Sequence, residues 1–315
     1  MEKIETIDTA ARPFLKWAGG KTQLIDTIDA RLPTAIQKTG TIEKYVEPFV
    51  GGGAVFFHLQ EQYNIQESYL YDINRELIVG YQAIKENHSE VIEHLQNIEK
   101  DYLSKSKARR KKFYYSVRDE YNSQIDTFNY ENYNPNWSYR AALLIFLNKT
   151  CFNGLFRQNQ KGEFNVPHGR YVNPTICDSE NIEAVHRALQ STKLICGDFT
   201  LAGNQIDEDT FVYFDPPYRP LNKTSSFTSY FKGDFTDTEQ QLLGEFYHKM
   251  NKRGAKLLLS NSDPKNENPG DDFFDKLYQG NSITIERVPA KRSINSDGAG
   301  RGEINELLIY NYKVG

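Results

Sequence analysis

The fold class is decided by residues 44–72, which read KYVEPFVGGGAVFFHLQEQYNIQESYLYD. Lys44 to Glu47 predicts a short strand, the glycines Gly51 to Gly53 predict a sharp turn, and Ala54 to Gln62 predicts an apolar helix. A second strand is predicted at Ser68 to Tyr71 and ends at Asp72. A strand, a glycine turn, a helix and a second strand in this order begin the parallel nucleotide-binding sheet of a Rossmann-like α/β fold.

The remaining sequence continues this sheet and interrupts it with an insertion. Residues 76–121 have apolar side chains at helical spacing, and Trp137 to Asn148 is apolar on nearly every side, which is typical of a buried helix. After the insertion, one helix is predicted at Asp237 to Asn251, and strands are predicted at Lys193 to Cys196, Thr210 to Phe214, Lys256 to Ser260, Ile283 to Val288 and Glu303 to Tyr310. We therefore predict a Rossmann-like domain at residues 1–75 and 176–315, interrupted at residues 76–175 by a helical domain that bears a β-hairpin.

The composition is typical of a soluble protein with a packed core. Hydrophobic residues make up 38% of the 315 residues and aromatic residues 13%, which argues against a disordered chain. The longest apolar run, Ala141 to Leu147, is far shorter than a membrane helix, and the acidic N-terminus is not typical of a secretory signal. Cys151, Cys177 and Cys196 are widely spaced, form no metal-ligand pattern and favour a reducing compartment. We expect a cytoplasmic protein without a metal or a membrane.

The net charge of −4 is distributed unevenly along the chain. Residues 100–171 contain 13 Lys and Arg against 6 Asp and Glu, a net charge of +7, so the rest of the chain carries −11. This asymmetry indicates that the insertion faces a polyanion. A solvated helix face explains a basic run such as Lys105 to Lys112 equally well.

The glycine turn and the acidic residue after it are typical of a nucleotide site. Asp72 lies 19 residues after Gly53, at the end of the next strand, where a carboxylate hydrogen-bonds ribose hydroxyls. A nicotinamide site fits poorly, because Phe56 occupies the position of the third glycine in the dinucleotide fingerprint. A tight connection that binds no ligand is the alternative.

Residues 14–21, which read FLKWAGGK, combine aromatic, glycine and lysine residues just before the first strand. Their spacing does not match a Walker phosphate loop. S-adenosylmethionine carries a positive sulfonium and a carboxylate. The aromatic face of Trp17 suits the sulfonium, and the ammonium of Lys21 suits the carboxylate. The alternative places Trp17 in the core and Lys21 at the surface.

The strand Thr210 to Phe214 leads directly into Asp215-Pro-Pro-Tyr218, at the strand end where open α/β sheets bind their ligands. The two prolines make this segment rigid. The Asp215 carboxylate and the Pro216 carbonyl are suited to accept the hydrogens of a planar amine, and Tyr218 is suited to stack on the ring that carries it. A strand that merely ends in prolines is the alternative.

The insertion contains two further segments, CFNGLFR at residues 151–157 and FNVPHGRY at residues 164–171. An Arg pairs bidentately with guanine in the major groove of DNA, and an Asn pairs in the same way with adenine. Apolar side chains between them suit thymine methyls or unstacked bases. On the residues alone, an ordinary hairpin with a solvated Arg157 is the better interpretation.

These segments, in this order, resemble those of the Dam-type adenine-specific DNA methyltransferases of the alpha group, and the chain is similar to the streptococcal GATC methylases. The resemblance covers most of the chain. It implies a Rossmann-like, S-adenosylmethionine-dependent sheet in which residues 76–175 form a DNA target-recognition domain. It also implies methyl transfer from S-adenosylmethionine to the exocyclic amine of adenine in duplex DNA, within GATC, after the base is flipped out of the helix.

The resemblance assigns roles to the residues that match the family's segments. The catalytic residues would be Asp215, Pro216 and Tyr218. The cofactor-binding residues would be Trp17, Lys21, Phe49, Gly51, Gly53, Asp72, Asp198, Phe199 and Asp215. The DNA-binding residues would be Lys149, Phe152, Asn153, Leu155, Arg157, Pro167 and Tyr171, with Arg157 reading the first guanine of GATC.

Such an enzyme works alone or in a restriction–modification pair, whose endonuclease acts on the same site without contacting it. The residues themselves leave two alternatives to adenine methylation. The methyl acceptor is another planar amine, as in cytosine or RNA, or the protein is a catalytically inactive DNA-binding regulator, against which the intact Asp215 and Tyr218 count. The polar segment Arg219 to Lys232 is predicted to be a loop that becomes ordered when DNA binds, and an ordinary surface loop is the alternative.

Overall fold

The computed structural model describes residues 9–17, 19–21, 23–219, 235–291 and 303–314. After its first residue, the segment Arg219 to Lys232 lies outside the described residues. The chain divides into two compact units. The first unit comprises Met1–Gly20, Gly51–Glu61 and Asn74–Cys196, and the second comprises Lys21–Val50, Gln62–Ile73 and Gly197–Gly315. The functional division predicted at residues 1–75, 76–175 and 176–315 stays a prediction.

The described part of the chain has seven strands and nine α-helices. The strands are β1 (Thr41–Glu47), β2 (Asn64–Asp72), β3 (Thr192–Cys196), β4 (Thr210–Phe214), β5 (Lys256–Ser262), β6 (Thr284–Lys291) and β7 (Glu303–Tyr310). The helices are α1 (Ile25–Asp29), α2 (Thr34–Thr39), α3 (Ala54–Gln62), α4 (Arg75–Leu103), α5 (Lys107–Ser123), α6 (Asn136–Thr150), α7 (Ser179–Ala188), α8 (Asp237–Lys252) and α9 (Phe273–Leu277). The predicted α/β fold class is confirmed. No helix in this part of the chain is long and apolar enough to cross a membrane.

The second unit is built on a sheet whose strands lie in the order β2-β1-β4-β5-β7-β6. The first four of these strands are parallel, and β7 runs antiparallel to both of its neighbours. Strand β4 is buried at all five residues, as expected for an apolar strand covered on both faces of a parallel sheet. The carboxyl ends of the four parallel strands therefore meet at one edge, where Glu47, Asp72 and Asp215 lie.

Helix α8 packs on β5 in the second unit. A capping box at Thr236 and Glu239 begins the helix, because each of these side chains satisfies a backbone amide of the first turn. Its buried face is apolar at Leu243, Phe246 and Met250, and polar at Gln240. One polar residue thus interrupts a helix face that otherwise suits a hydrophobic core.

The first unit holds the helical part of the predicted insertion. Residues 76–121 were predicted as one helical stretch, and the structure instead divides them into α4 and α5 at Ser104–Ser106. Helix α4 also deviates from helical backbone angles at Asn87. Neither Gly nor Pro marks the break in the sequence, so no turn residue predicts the end of α4.

Helix α6 is buried on nearly all sides and packs on α4, as predicted for Trp137 to Asn148. Its fully buried Arg140 forms two hydrogen bonds with the buried Glu76 carboxylate, of 2.8 Å from Nε and 2.7 Å from Nη2. The guanidinium also donates to the Tyr121 carbonyl at 3.1 Å and to the Tyr130 hydroxyl at 2.9 Å. This ion pair joins the first turn of α4 to α6.

The hairpin predicted between Cys151 and Tyr171 is wrong in detail. The two arms run antiparallel but pair only through isolated bridges, Cys151 with His168 and Gln158 with Phe164. Asn153 has a positive φ of 59°, which bends the first arm away from extended geometry. Pro167 has no amide hydrogen to donate to a ladder. A continuous two-stranded ladder therefore does not form.

Candidate active site

Three carboxyl groups lie at the carboxyl edge of the parallel strands in the second unit. Glu47 ends β1, Asp72 ends β2, and Asp215 follows β4, and these three strands are neighbours. Burial raises the pKa of Glu47 well above its usual value, and the charges of Asp215 and Asp72 raise it further, against the hydrogen bond from Tyr45. That bond, from the Tyr45 hydroxyl to Glu47 Oε2, is 2.8 Å long. Sequence reasoning missed Glu47, although an acidic residue that ends a buried strand was a visible signal.

Asp215 is held by two side chains that the sequence does not place near it. The Lys21 ammonium lies 2.7 Å from Asp215 Oδ1, and the Ser260 hydroxyl donates to the same oxygen at 3.1 Å. Burial raises the pKa of Asp215 above its usual value, although Lys21 and Ser260 both act to lower it. Both contacts engage Oδ1, so the carboxylate is oriented by one of its two oxygens.

Tyr218 is fixed at its hydroxyl and on one face of its ring. The hydroxyl donates to Glu306 Oε2 on β7 at 2.6 Å. The Lys21 ammonium lies 4.2 Å from the ring centroid, within cation–π distance. Burial, with the nearby Asp215 and Glu306 carboxylates, raises the pKa of Tyr218 well above its usual value, so the phenol stays protonated. Nothing in the local sequence pointed to Glu306, which contacts Tyr218 only through the pairing of β7 with β5.

Four of the predicted cofactor-binding residues lie together in the second unit: Phe49, Asp72, Asp198 and Phe199. The amide of Gly197 donates to the Asp72 carbonyl at 3.0 Å, which brings residues 197–199 to the end of β2. The rings of Phe49 and Phe199 are 5.5 Å apart, and Phe199 also packs on Phe246, so Phe49 presents the more accessible ring. The Asp198 side chain is exposed and accepts a hydrogen bond from the Thr200 amide at 2.9 Å.

The predicted cofactor residues of the first unit are packed around the glycine turn. Trp17 stacks on Phe156 with ring centroids 4.9 Å apart. Gly51 has a φ of 49°, and a Cβ added there would lie 3.0 Å from the Trp17 ring. Gly53 has a φ of 72°, and a Cβ there would lie 2.6 Å from the Tyr81 hydroxyl. Both glycines are therefore required by the backbone and by the close approach of an aromatic residue.

The predicted DNA-reading residues of the first unit form a largely exposed loop. Phe152 is 53% exposed, and Asn153, Pro167 and Tyr171 are also exposed, whereas Leu155 is half-buried. The Phe152 amide donates to the Pro167 carbonyl at 2.8 Å, which joins the two arms. The exposed Arg157 donates from Nε to Asn165 Oδ1 at 2.8 Å, so its guanidinium is partly ordered.

Lys149 differs from the other predicted DNA contacts. It is half-buried near the end of α6, and this burial lowers its pKa, against the nearby Asp178 carboxylate, which acts to raise it. A lysine in these surroundings is a weaker phosphate ligand than an exposed one.

Residues 17–294 match the family described as D12 class N6 adenine-specific DNA methyltransferase. The chain is 49% identical over 302 residues to the type II methyltransferase M.MjaIII of Methanocaldococcus jannaschii, an alignment that covers 96% of this chain and 99% of that protein. It is 36% identical over 307 residues to the type II methyltransferase M1.LlaDCHI of Lactococcus lactis, covering 96% of this chain and 95% of that protein. It is 34% identical over 304 residues to the DNA adenine methylase of Escherichia coli K12, covering 96% of each.

Proposed function

The chain belongs to the D12 class of N6 adenine-specific DNA methyltransferases, and from this premise we propose that it methylates the adenine of GATC in duplex DNA. The proposed target sequence rests on the exposed Arg157 in the loop of residues 151–171. An arginine side chain can form two hydrogen bonds with the major-groove edge of guanine, which is the commonest specific contact to that base. The family is adenine-specific, which argues against cytosine or RNA as the methyl acceptor and against an inactive regulator.

We propose S-adenosylmethionine as the methyl donor, and the charges at the sheet edge of the second unit fit this molecule. When bound, it supplies a methyl group on a positively charged sulfur. Glu47, Asp72 and Asp215 offer carboxyl groups to its ammonium and ribose, and Lys21 offers a cation to its carboxylate. The accessible ring of Phe49 suits its adenine.

The proposed roles at Asp215–Tyr218 follow from hydrogen-bonding capacity. The Asp215 carboxylate and the Pro216 carbonyl accept the two hydrogens of the adenine amine, which directs the nitrogen lone pair toward the methyl group. The amine must lose one proton as the new bond forms, and a carboxylate with a raised pKa is a good acceptor for it. Tyr218 stacks on the flipped base. The base either packs on the face of the Tyr218 ring that is opposite Lys21, or it displaces the Lys21 ammonium from the other face.

The state of Asp215 predicts how the activity depends on pH. The mechanism needs the carboxylate, so activity is present above the pKa of Asp215 and is lost as the pH falls through it. Lys21 acts to lower that pKa. We expect Lys21→Met to move the acid limb of kcat/KM for DNA to higher pH, because that limb reports the protein before the base displaces the ammonium. Lys38→Met, which changes an exposed lysine of the same unit, should leave the limb in place. An unmoved limb in Lys21→Met would contradict the proposed role of Asp215.

The target sequence is tested by methyl labelling of short duplexes. Wild-type protein should label GATC and leave a GATT control unlabelled, and equal labelling of both would overturn the proposed site. Arg157→Ala should reduce discrimination between GATC and AATC by about 1–3 kcal/mol, roughly 5- to 150-fold. Lys161→Ala, at an exposed lysine of the same loop, should weaken binding to all duplexes alike.

The biological setting is a further part of the proposal. Similarity to two type II methyltransferases supports a role in a restriction–modification pair, and similarity to a DNA adenine methylase supports a solitary role. In the first case a separate endonuclease acts on the same site without contacting this protein. DNA from cells that express the protein should resist a methyl-sensitive GATC endonuclease and be cut by a methyl-dependent one. We also propose that the protein is cytoplasmic.

A further inference from the structure

We infer that Gln240 is a positioning residue for methyl transfer, because its side-chain amide fixes the backbone of the segment Asp215–Tyr218. The inference rests on the proposed role of that segment as the reaction centre. Gln240 lies on α8, outside every segment for which the sequence predicted a functional role.

The Gln240 side chain is fully buried and both ends of its amide are used. Nε2 donates to the Pro217 carbonyl at 3.0 Å, and Oε1 accepts from Asn261 Nδ2 at 3.2 Å. Asn261, on β5, is also fully buried, and its Oδ1 accepts from the Arg219 amide at 3.3 Å. The pair Gln240–Asn261 thus satisfies one backbone group on each side of Tyr218.

The segment needs such support because it has left the sheet. Strand β4 ends at Phe214, and Pro216 and Pro217 have no amide hydrogens with which to form a ladder. The hydrogen bond from Gln240 therefore restrains a stretch that would otherwise be held by few backbone bonds. The Pro216 carbonyl, which is proposed to accept a hydrogen of the target amine, belongs to the peptide next to the one that Gln240 holds.

Packing alone does not explain a glutamine at this position. The other large buried side chains of α8 are Leu243, Phe246, Tyr247 and Met250, and a leucine at 240 would fill a similar volume without a polar group to satisfy. A second side chain supports the same segment, since the Ser262 hydroxyl donates to the Arg219 carbonyl at 3.2 Å. The Arg219 guanidinium in turn bonds to Asp237 in the first turn of α8, at 2.6 and 2.9 Å.

Two substitutions test the inference. Gln240→Leu removes both hydrogen bonds and should lower kcat roughly 10- to 100-fold while KM for DNA stays within about twofold, because the reacting groups lose alignment. Gln240→Glu keeps the acceptor for Asn261 but donates to the Pro217 carbonyl only when the introduced carboxyl is protonated. The ratio of its kcat to that of wild type should therefore rise as the pH is lowered. For Gln241→Glu, at the adjacent exposed position, the ratio of kcat to that of wild type should not change with pH.

The outcomes separate the inference from the proposed function. A flat ratio for Gln240→Glu, or an unchanged kcat in a folded Gln240→Leu, overturns the positioning role. If Gln240→Leu does not fold, the pH ratio of Gln240→Glu decides alone. If wild-type protein and Asp215→Ala transfer methyl groups equally, the proposed reaction centre fails instead.

Discussion

Replacement of Asp215 by alanine is expected to abolish methyl transfer while the protein still folds. The substitution removes the charged acceptor for the adenine amine and leaves only the neutral Pro216 carbonyl, so we expect kcat to fall at least about 100- to 1000-fold. It also leaves the Lys21 ammonium, which is 7% exposed, without the carboxylate that now lies 2.7 Å away. Transfer of labelled methyl groups to a GATC duplex measures the effect at saturating substrate.

Two further variants make this result interpretable. Asp215→Asn keeps the size of the side chain and removes its charge, so its loss of activity separates chemistry from packing. Asp209→Ala removes an exposed carboxylate at the opposite end of the same strand and should leave kcat unchanged. Circular dichroism and thermal melting check that each variant folds. Activity near that of wild type in a folded Asp215→Ala would refute the assigned reaction centre.

Replacement of Arg140 by methionine should destabilise the first unit by about 3–5 kcal/mol. The guanidinium and the Glu76 carboxylate are each about 1% exposed, so the substitution leaves a buried carboxylate without its counter-charge. Both tryptophans of the chain, Trp17 and Trp137, lie in this unit. Urea unfolding followed by tryptophan fluorescence therefore reports its free energy of unfolding.

A double substitution separates the cost of the unpaired charge from the loss of packing. Arg140→Met combined with Glu76→Leu removes both charges and should recover much of the lost stability, since apolar residues often replace a buried ion pair at little cost. Arg109→Met, at an exposed arginine of α5, should change the free energy of unfolding by less than about 0.5 kcal/mol. If Arg140→Met lowers the free energy of unfolding by less than about 1 kcal/mol, the Arg140–Glu76 ion pair does not contribute to stability as predicted.

Strands and helices were predictable where apolar runs and turn residues mark both ends. Helix α3 and strand β4 have the predicted bounds, because glycines precede the first and Asp215-Pro216 follows the second. Strands β1 and β2 extend further toward their amino ends than predicted, where polar residues dilute the pattern. The short helices α1, α2 and α9 were not predicted, since five or six residues carry too little periodicity.

The candidate site was predictable only where motifs carry it. Lys21 and Asp215 were each predicted to contact the cofactor, but their ion pair with each other was not predicted. Glu306 and Gln240 were missed because each is a single polar residue in an ordinary-looking strand or helix. Their importance comes from the pairing of β7 with β5 and the packing of α8 on β5, which are contacts between distant parts of the chain.

The position of Lys21 has a consequence for how the two ligands act on each other. Its ammonium occupies the Asp215 carboxylate and one face of Tyr218, which are the groups proposed for the target adenine. A base that takes that face and that carboxylate must exchange places with the ammonium, which then needs another anion. If that anion is the carboxylate of the methyl donor, donor binding and base entry favour each other by the same free energy, whichever comes first. One lysine would then act as the thermodynamic link between two substrates, and titrations in both orders of addition would measure its strength.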